Sequence, residues 1–276
     1  MIENSSTIAR LRKRVTPSSN VVIAPDEVVV NRSPSTDTKS AARALELFRL
    51  FSVARRALTL TEIADQLGAP KSSCFQLVRT LQHLGYLYAL GPRKGFYPTK
   101  LIVHQSQTIA QHDPLLQLIT KQLLRLRDQT SESVVVASLH EGAAMIIELV
   151  ESPQGIRFTA RIGEKRSLVD SSIGKALLGG MSREERSKAL AKPKMGKNEV
   201  KTIAIDLKSL DKELASSAKR GWYASKDKPL VGVSAVAIPV TVGGTLLAVA
   251  VVGPSARMSA KIAEHASALH ECFTID

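Results

Sequence analysis

Residues 59–85 read TLTEIADQLGAPKSSCFQLVRTLQHLG, and their punctuation decides the fold. Thr59 is followed three residues later by Glu62, a pairing that satisfies two orphan amides reciprocally at a helix start. Leu60, Ile63, Ala64 and Leu67 recur at helical spacing, and Gly68 follows where a left-handed terminal residue is wanted. Pro70 presets the first turn of a second helix. Its apolar stripe is Cys74, Leu77, Val78, Leu81 and Leu84; its outer face carries Lys71, Ser72, Ser73, Gln76, Arg79 and His83. A short helix, a tight turn and a longer helix with a basic, amide-bearing face is the helix-turn-helix arrangement, whose second helix enters the DNA major groove. The competing reading is an ordinary helical hairpin with a solvated polar face. Leu87 to Leu90 then reads as a strand, Gly91 to Gly95 as a turn and Phe96-Tyr97 as a returning strand. Arg93 and Lys94 at its tip make this hairpin a wing suited to phosphate or minor-groove contact.

On the N-terminal side, Ala41, Leu45, Phe48 and Phe51 line one face of a further helix, completing a three-helix core. Residues 1–37 mix Ser, Thr, Pro and Asn with Arg10, Arg12, Lys13 and Arg14, show no sustained periodicity, and read as a disordered basic tail. The chain carries a net charge of +13 and a pI near 9.9. Up to His112 there are 15 Lys and Arg against 7 acids, and from Asp113 onward 23 against 18. The excess is concentrated in the smaller, first part, as a chain that meets phosphates requires. Cys74 and Cys272 are too few for a disulfide framework, which points to a reduced, cytoplasmic protein. No secretory signal is recognisable. Pro229 to Pro254 is uncharged and long enough for a bilayer, but Pro239 and Gly243-Gly244 break it into a buried hairpin, so no membrane partner is expected.

Thr99 to Gln111 reads as a connecting helix that stops before His112-Asp113-Pro114. Pro114 to Arg127 is a helix bearing Leu115, Leu118, Ile119, Leu123 and Leu126. Val134 to Leu139, Met145 to Val150 and Arg157 to Arg161 read as strands; Gly174 to Gly180, Arg183 to Ala191 and Leu207 to Arg220 as helices; Gly232 to Val240 and Leu246 to Val252 as strands; Ser259 to Cys272 as a last helix. The fold class is α+β: a winged helix-turn-helix domain over residues 38–98, a linker helix over 99–113, and a domain over 114–276 built on a mainly antiparallel sheet.

The ordered series of these elements with Gly163-Glu164, Ser172-Ile173-Gly174-Lys175-Ala176-Leu177-Leu178, Arg220-Gly221-Trp222, Gly232-Val233, Ala237-Ile238-Pro239-Val240 and Gly253-Pro254-Ser255-Ala256-Arg257 resembles the IclR family of bacterial transcription regulators from about Thr38 to the end. The resemblance implies a GAF-like C-terminal domain that binds a small organic or aromatic acid, and homodimers or dimers of dimers on double-stranded, partly palindromic operators. The family's recognition helix begins Pro-Lys-Ser-Thr and ends with His or Tyr followed by Arg. Here Phe75-Gln76 stands at that end, and Gln76 is suited to adenine, Phe75 to a thymine methyl. Lys71, Ser72, Ser73 and Arg79 hold phosphates, which position without specifying.

For the effector, Ser171, Ser172, Ile173 and Gly174 precede a helix and leave amides outward for an anion. The alternative is a helix cap with no ligand. Alternation places Phe158 and Ala160 on one face of their segment. Ser225, Ala235, Ala250 and Val252 stand where acid-binding members often carry more polar residues. The inferred pocket is apolar with a polar rim, favouring a larger, aromatic acid over pyruvate-like ones. A constitutive DNA-binding regulator without effector is the alternative; an enzyme with a DNA-binding appendage is the third reading. No catalytic residues, cofactor or metal are expected: Gly174-Lys175 lacks the rest of a phosphate loop, Gly232 to Val236 lacks the second Gly of a nucleophile elbow, His140-Glu141 reads as a turn pair, and His265, His270 and Cys272 do not share one helix face.

Overall fold

The computed structural model describes residues 38–91, 94–191 and 207–273. The basic tail of residues 1–37 and Arg93 lie outside them. Helix α1 (Lys39–Ala54) packs on α2 (Leu60–Leu67) and α3 (Lys71–His83) through one apolar cluster. The capping box forms: Thr59 Oγ1 accepts from Glu62 N at 3.3 Å and Glu62 Oε2 from Thr59 N at 2.8 Å. Gly68 ends α2 at φ 55°, and Pro70 is the N-cap of α3. The expected stripe of α1 is corrected. Leu45 is 73% exposed and Ala41 also faces outward, while Leu47, Leu50 and Phe51 are buried with Phe48 against them. Phe48 and Phe51 satisfy two overlapping helical stripes, and the one carrying Leu47 and Leu50 buries more apolar surface. On α3, Cys74, Val78 and Leu81 are buried and Leu77 partly so, but Leu84 has left the stripe, 55% exposed at the C-cap.

The wing is the hairpin β1 (Leu87–Ala89) and β2 (Phe96–Pro98), with Tyr88 opposite Tyr97. Leu58 bridges Phe96 across its base. Gly95 there has φ +87° and a Cβ would lie 2.6 Å from the Leu58 carbonyl oxygen, so only glycine fits. Helix α4 (Leu101–Gln111) follows and has no buried residue. The expected helix from Pro114 is split into a 3-10 turn, Leu116–Leu118, and α5 (Thr120–Thr130). Asp113 Oδ1 accepts from Leu115 N and Leu116 N, both at 2.9 Å, fixing the turn, and Leu118 points outward at 60% exposure.

Six antiparallel strands form the second sheet: β3 (Ser133–His140), β4 (Ala143–Val150), β5 (Lys165–Arg166), β6 (Tyr223–Lys226), β7 (Val233–Val242) and β8 (Thr245–Pro254), in the order β5-β4-β3-β8-β7-β6. No strand forms at Arg157 to Arg161. The segment is extended and alternates, with Phe158 and Ala160 half-buried between exposed neighbours, but Lys165–Arg166 occupies the edge of β4. Both short edge strands went unread for lack of length. The uncharged stretch is the β7–β8 hairpin, turning on Gly243 and Gly244 at φ 53° and 79°, the signs a two-residue turn needs. β6 reaches only Ala237, so Pro239 falls where that edge of β7 is open. Among the described residues no helix is long and apolar enough to cross a membrane.

Alternation along β8 splits the core. Leu247, Val249 and Val251 face α5 and α9 (Ser255–Phe273), against Leu126, Met258 and Leu269. The smaller Ala248 and Ala250 face α6 (Ser172–Gly180) and α8 (Leu207–Arg220), with Leu177, Leu178 and Leu214. α7 (Arg183–Ala191) buries only Ala189. Small sheet residues under α6 let it approach closely, which fixes the height of its N-terminus above the strands.

Candidate nucleic-acid interface and ligand cavity

The outward face of α3 keeps Lys71, Ser72, Phe75, Gln76 and Arg79 exposed, with Ser73 half-buried. Ser72, Gln76 and Arg79 lie at successive helical spacings on one side. Neither Lys71 nor Arg79 has an ion-pair partner among the described residues, which leaves both charges free for phosphates. Phe75 leaves 50% of its surface in water, an apolar exposure beside the cations. Lys94 is exposed in the turn of the wing, whose closure rests on Leu90 N to Gly95 O at 3.0 Å and Lys94 N to Gly91 O at 3.2 Å. The α2 start is charged in a fixed way: the Arg56 guanidinium and the Thr59 amide and hydroxyl hold Glu62 down to about 2.

A concavity with an empty volume of about 410 Å³, part of it open to solvent, lies at the N-terminus of α6. Its walls come from five places: Val135 and Ile146 on the sheet, Phe158 on the extended segment, Ser171, Ser172 and Ile173 at the helix start, Ser225, Ala235 and Val252 on the far strands, and Lys228 to Leu230 on the β6–β7 loop. Of the residues expected from sequence, Phe158, Ser171, Ser172, Ile173, Ser225, Ala235 and Val252 are brought together here. Ala160, Gly174 and Ala250 do not line it. Ala250 is fully buried beneath α6, and Ala160 packs against the same cluster. Gly174 sits against Ser167 and Leu168, whose backbone a Cβ would strike.

Sequence reading missed Arg166, Lys228, Pro229 and Leu230 as well as the apolar wall of Val135, Ile146 and Val233. Alternation in β3 could have indicated Val135. Arg166 and the loop residues gave no signal, since they arrive through a two-residue edge strand and an irregular connection.

Polar detail changes the expected anchor. Ser171 is the N-cap: its hydroxyl donates to Ser167 O at 2.6 Å and accepts from Gly174 N at 3.1 Å. The amides of Ser172 and Ile173 have no acceptor among the described residues. Arg166 is paired with Glu164 at 2.7 Å. The β6–β7 loop is pinned at its base, where Asp227 Oδ1 accepts from Ser255 Oγ at 2.7 Å and from Gly232 N at 3.0 Å. These bonds, the Ser255 one foremost, hold the Asp227 carboxyl below the usual carboxylate range. The segment carrying Phe158 is tied down by Ser133 Oγ, which donates to Phe158 O at 2.7 Å, and by Arg257, which reaches Ile156 O at 2.9 Å while gripping buried Glu132.

His265 and Cys272 are buried in the α9 face, Cys272 Sγ lies 3.3 Å from Gln129 Oε1, and His270 Nε2 is 3.1 Å from Gly221 O. Among the described residues no group of three or more His, Cys, Asp or Glu is placed to hold a metal ion.

Comparison with known proteins gives two family matches. Residues 40–91 match the family described as the IclR helix-turn-helix domain, and residues 107–274 the one described as bacterial transcriptional regulator IclR C-terminal. The chain is 27% identical over 225 residues to the acetate operon repressor of Salmonella typhimurium, covering 78% of this chain and 82% of the relative. The Thermotoga maritima IclR crystal structure superposes with a TM-score of 0.66 at 20% identity, covering 86% of this chain and 97% of that one. A Microbacterium hydrocarbonoxydans IclR homologue, solved with 4-hydroxybenzoate, superposes with a TM-score of 0.62 at 20% identity, covering 84% and 98%.

Proposed function

Because the chain belongs to the IclR family of bacterial transcription regulators, a class of DNA-binding proteins, we propose that its DNA affinity is set by a small organic acid, an aromatic one in particular, and that it controls a catabolic operon. The observation that carries this reading is the cavity at the start of α6, walled mainly by Val135, Ile146, Phe158, Ile173, Val233 and Val252, with Ser171, Ser172, Ser225, Arg166 and Lys228 as its polar lining. The neighbour solved with 4-hydroxybenzoate supports an aromatic acid.

In this reading residues 38–98 bind the operator through Lys71, Ser72, Ser73, Phe75, Gln76, Arg79 and the wing cations Arg93 and Lys94. Residues 99–113 link them to the effector domain, residues 114–276. The chain acts in the cytoplasm as a homodimer or dimer of dimers. Exposed Val103 and Ile109 on α4, at 51% and 73%, support an association through that helix. A ligand that binds one arrangement of the two recognition helices better than another shifts their population, and so changes the match to half-sites about one helical turn or a multiple apart. No group is placed for catalysis in this scheme.

A thermal-shift series of the purified chain against aliphatic and aromatic carboxylic acids tests it. An acid at about 100 times its Kd adds roughly 2.7 kcal/mol to stability. A stabilising aromatic acid is expected; no shift across the series, with DNA binding intact, would replace this reading by a constitutive regulator.

A further inference from the structure

The cavity at the start of α6 carries more than one charged group, yet its pairing leaves only one of them uncompensated. Arg166 and Lys228 are the two cations among its lining residues. Arg166 is held by Glu164 at 2.7 Å, with both side chains largely covered, so this pair presents a neutral dipole rather than a charge. The Ser171 hydroxyl is consumed by the helix cap. Lys228 is exposed at the mouth and has no hydrogen bond or ion pair among the described residues. The nearest acid in sequence, Asp227, is turned to Ser255 and Gly232 and does not answer it. That same Asp227 clamp, with Asp227 N to Val233 O at 2.9 Å and Ser255 N to Gly232 O at 2.8 Å, fixes the base of the loop that presents Lys228. Just beyond, Val231 stands 92% exposed, so the loop is a flap whose inner side is Lys228, Pro229 and Leu230.

We propose that Lys228 on the β6–β7 flap is the specificity-determining residue of the effector site: it reads the single negative charge of the ligand, which is a monocarboxylate with an apolar body rather than a dicarboxylate or a neutral molecule. This rests on the reading that the cavity is the effector site. One free ammonium compensates one carboxylate, a second carboxylate would find Arg166 already paired with Glu164, and an uncharged ligand would forgo the charge–charge attraction to Lys228. The Ser172 and Ser225 hydroxyls and the Arg166–Glu164 pair remain for neutral polar substituents.

The experiment is calorimetric titration of the full chain with benzoate, 4-hydroxybenzoate and phenylacetate, with the corresponding amides, and with terephthalate, in wild type, Lys228→Gln and Lys228→Glu. In the wild type each acid is expected to bind tighter than its amide by about tenfold, since only the carboxylate adds a charge–charge attraction to its hydrogen bond with the Lys228 ammonium, and terephthalate is expected to bind more weakly than benzoate. Lys228→Gln should bring acid affinity down to the amide level, lowering the acids by far more than the amides. Lys228→Glu should abolish acid binding, so that the order reverses and each amide binds tighter than its acid. Position 228 is an exposed loop site, and an unchanged wild-type melting temperature in both variants serves as the folding control. Acids bound equally by wild type and both variants would overturn the role of Lys228 while leaving the effector site standing. Absence of binding by the wild type to every acid and amide would overturn the effector reading itself.

Discussion

Glu62 accepts from the Thr59 amide at 2.8 Å and pairs with Arg56 at 2.7 Å, and these contacts lower its carboxyl to about 2. A folded-state value below the ordinary one means that ionised Glu62 stabilises the domain above about pH 4.5, and that this contribution is lost as pH falls from there toward 2. Glu62→Gln keeps a capping acceptor but removes the charge. Its melting temperature should lie below wild type at neutral pH, and the gap should close as pH falls through that window in scanning calorimetry. Gln76 rests on a different property, an exposed side-chain amide on the outward face of α3 with no partner among the described residues. Gln76→Ala should relax base preference at an A·T step, worth on the order of 1–3 kcal/mol, in a selection from random DNA. Lys71→Ala and Arg79→Ala should instead weaken all sequences alike and each reduce the slope of log affinity against log salt by about 1. Wild-type preference at every operator position in Gln76→Ala would contradict direct readout.

Helix α6 is the element on which the cavity depends. Replacing Gly by Ala within an exposed helix ordinarily helps by roughly 1 kcal/mol. At Gly174 the sign should reverse, because the added Cβ runs into the backbone of Ser167 and Leu168, which cannot yield as a side chain does. Overpacking of this kind costs about 1–3 kcal/mol, so Gly174→Ala should lower the melting temperature by several degrees. Gly155→Ala, where a Cβ would meet nothing within 4 Å, should leave it nearly unchanged. A neutral or stabilised Gly174→Ala would mean that α6 is not pressed onto that loop. Elements with strong local punctuation were legible in the sequence: α2 through Thr59, Glu62 and Gly68, the β7–β8 hairpin through Gly243-Gly244, and the start of α7 at Arg183 and the end of α8 at Arg220. Those decided by tertiary competition were not. The stripe of α1 had two solutions sharing Phe48 and Phe51, and the strand expected at Arg157 lost its edge to Lys165–Arg166.

At the scale of the whole molecule, the cavity draws on β3, β4, β5, β6, β7, β8, the start of α6 and two connections. Seven of its residues followed from alternation, the helix start and the family resemblance. Its charged edge did not, because Arg166 and Lys228 reach it only once the sheet has closed. Of the net charge of +13, the part up to His112 carries +8 (15 Lys and Arg against 7 acids), which favours any DNA, and in the proposed scheme an effector acts on top of that attraction. The most direct measurement is fluorescence anisotropy of the full chain on an operator it has itself selected from random DNA, at fixed salt, as an aromatic acid is added. A saturable change in DNA affinity is expected, rising or falling, and it should vanish in Ala235→Phe, whose ring fills the cavity. Operator affinity that stays constant across the acid titration, with the acid shown to be bound, would contradict ligand control of this protein.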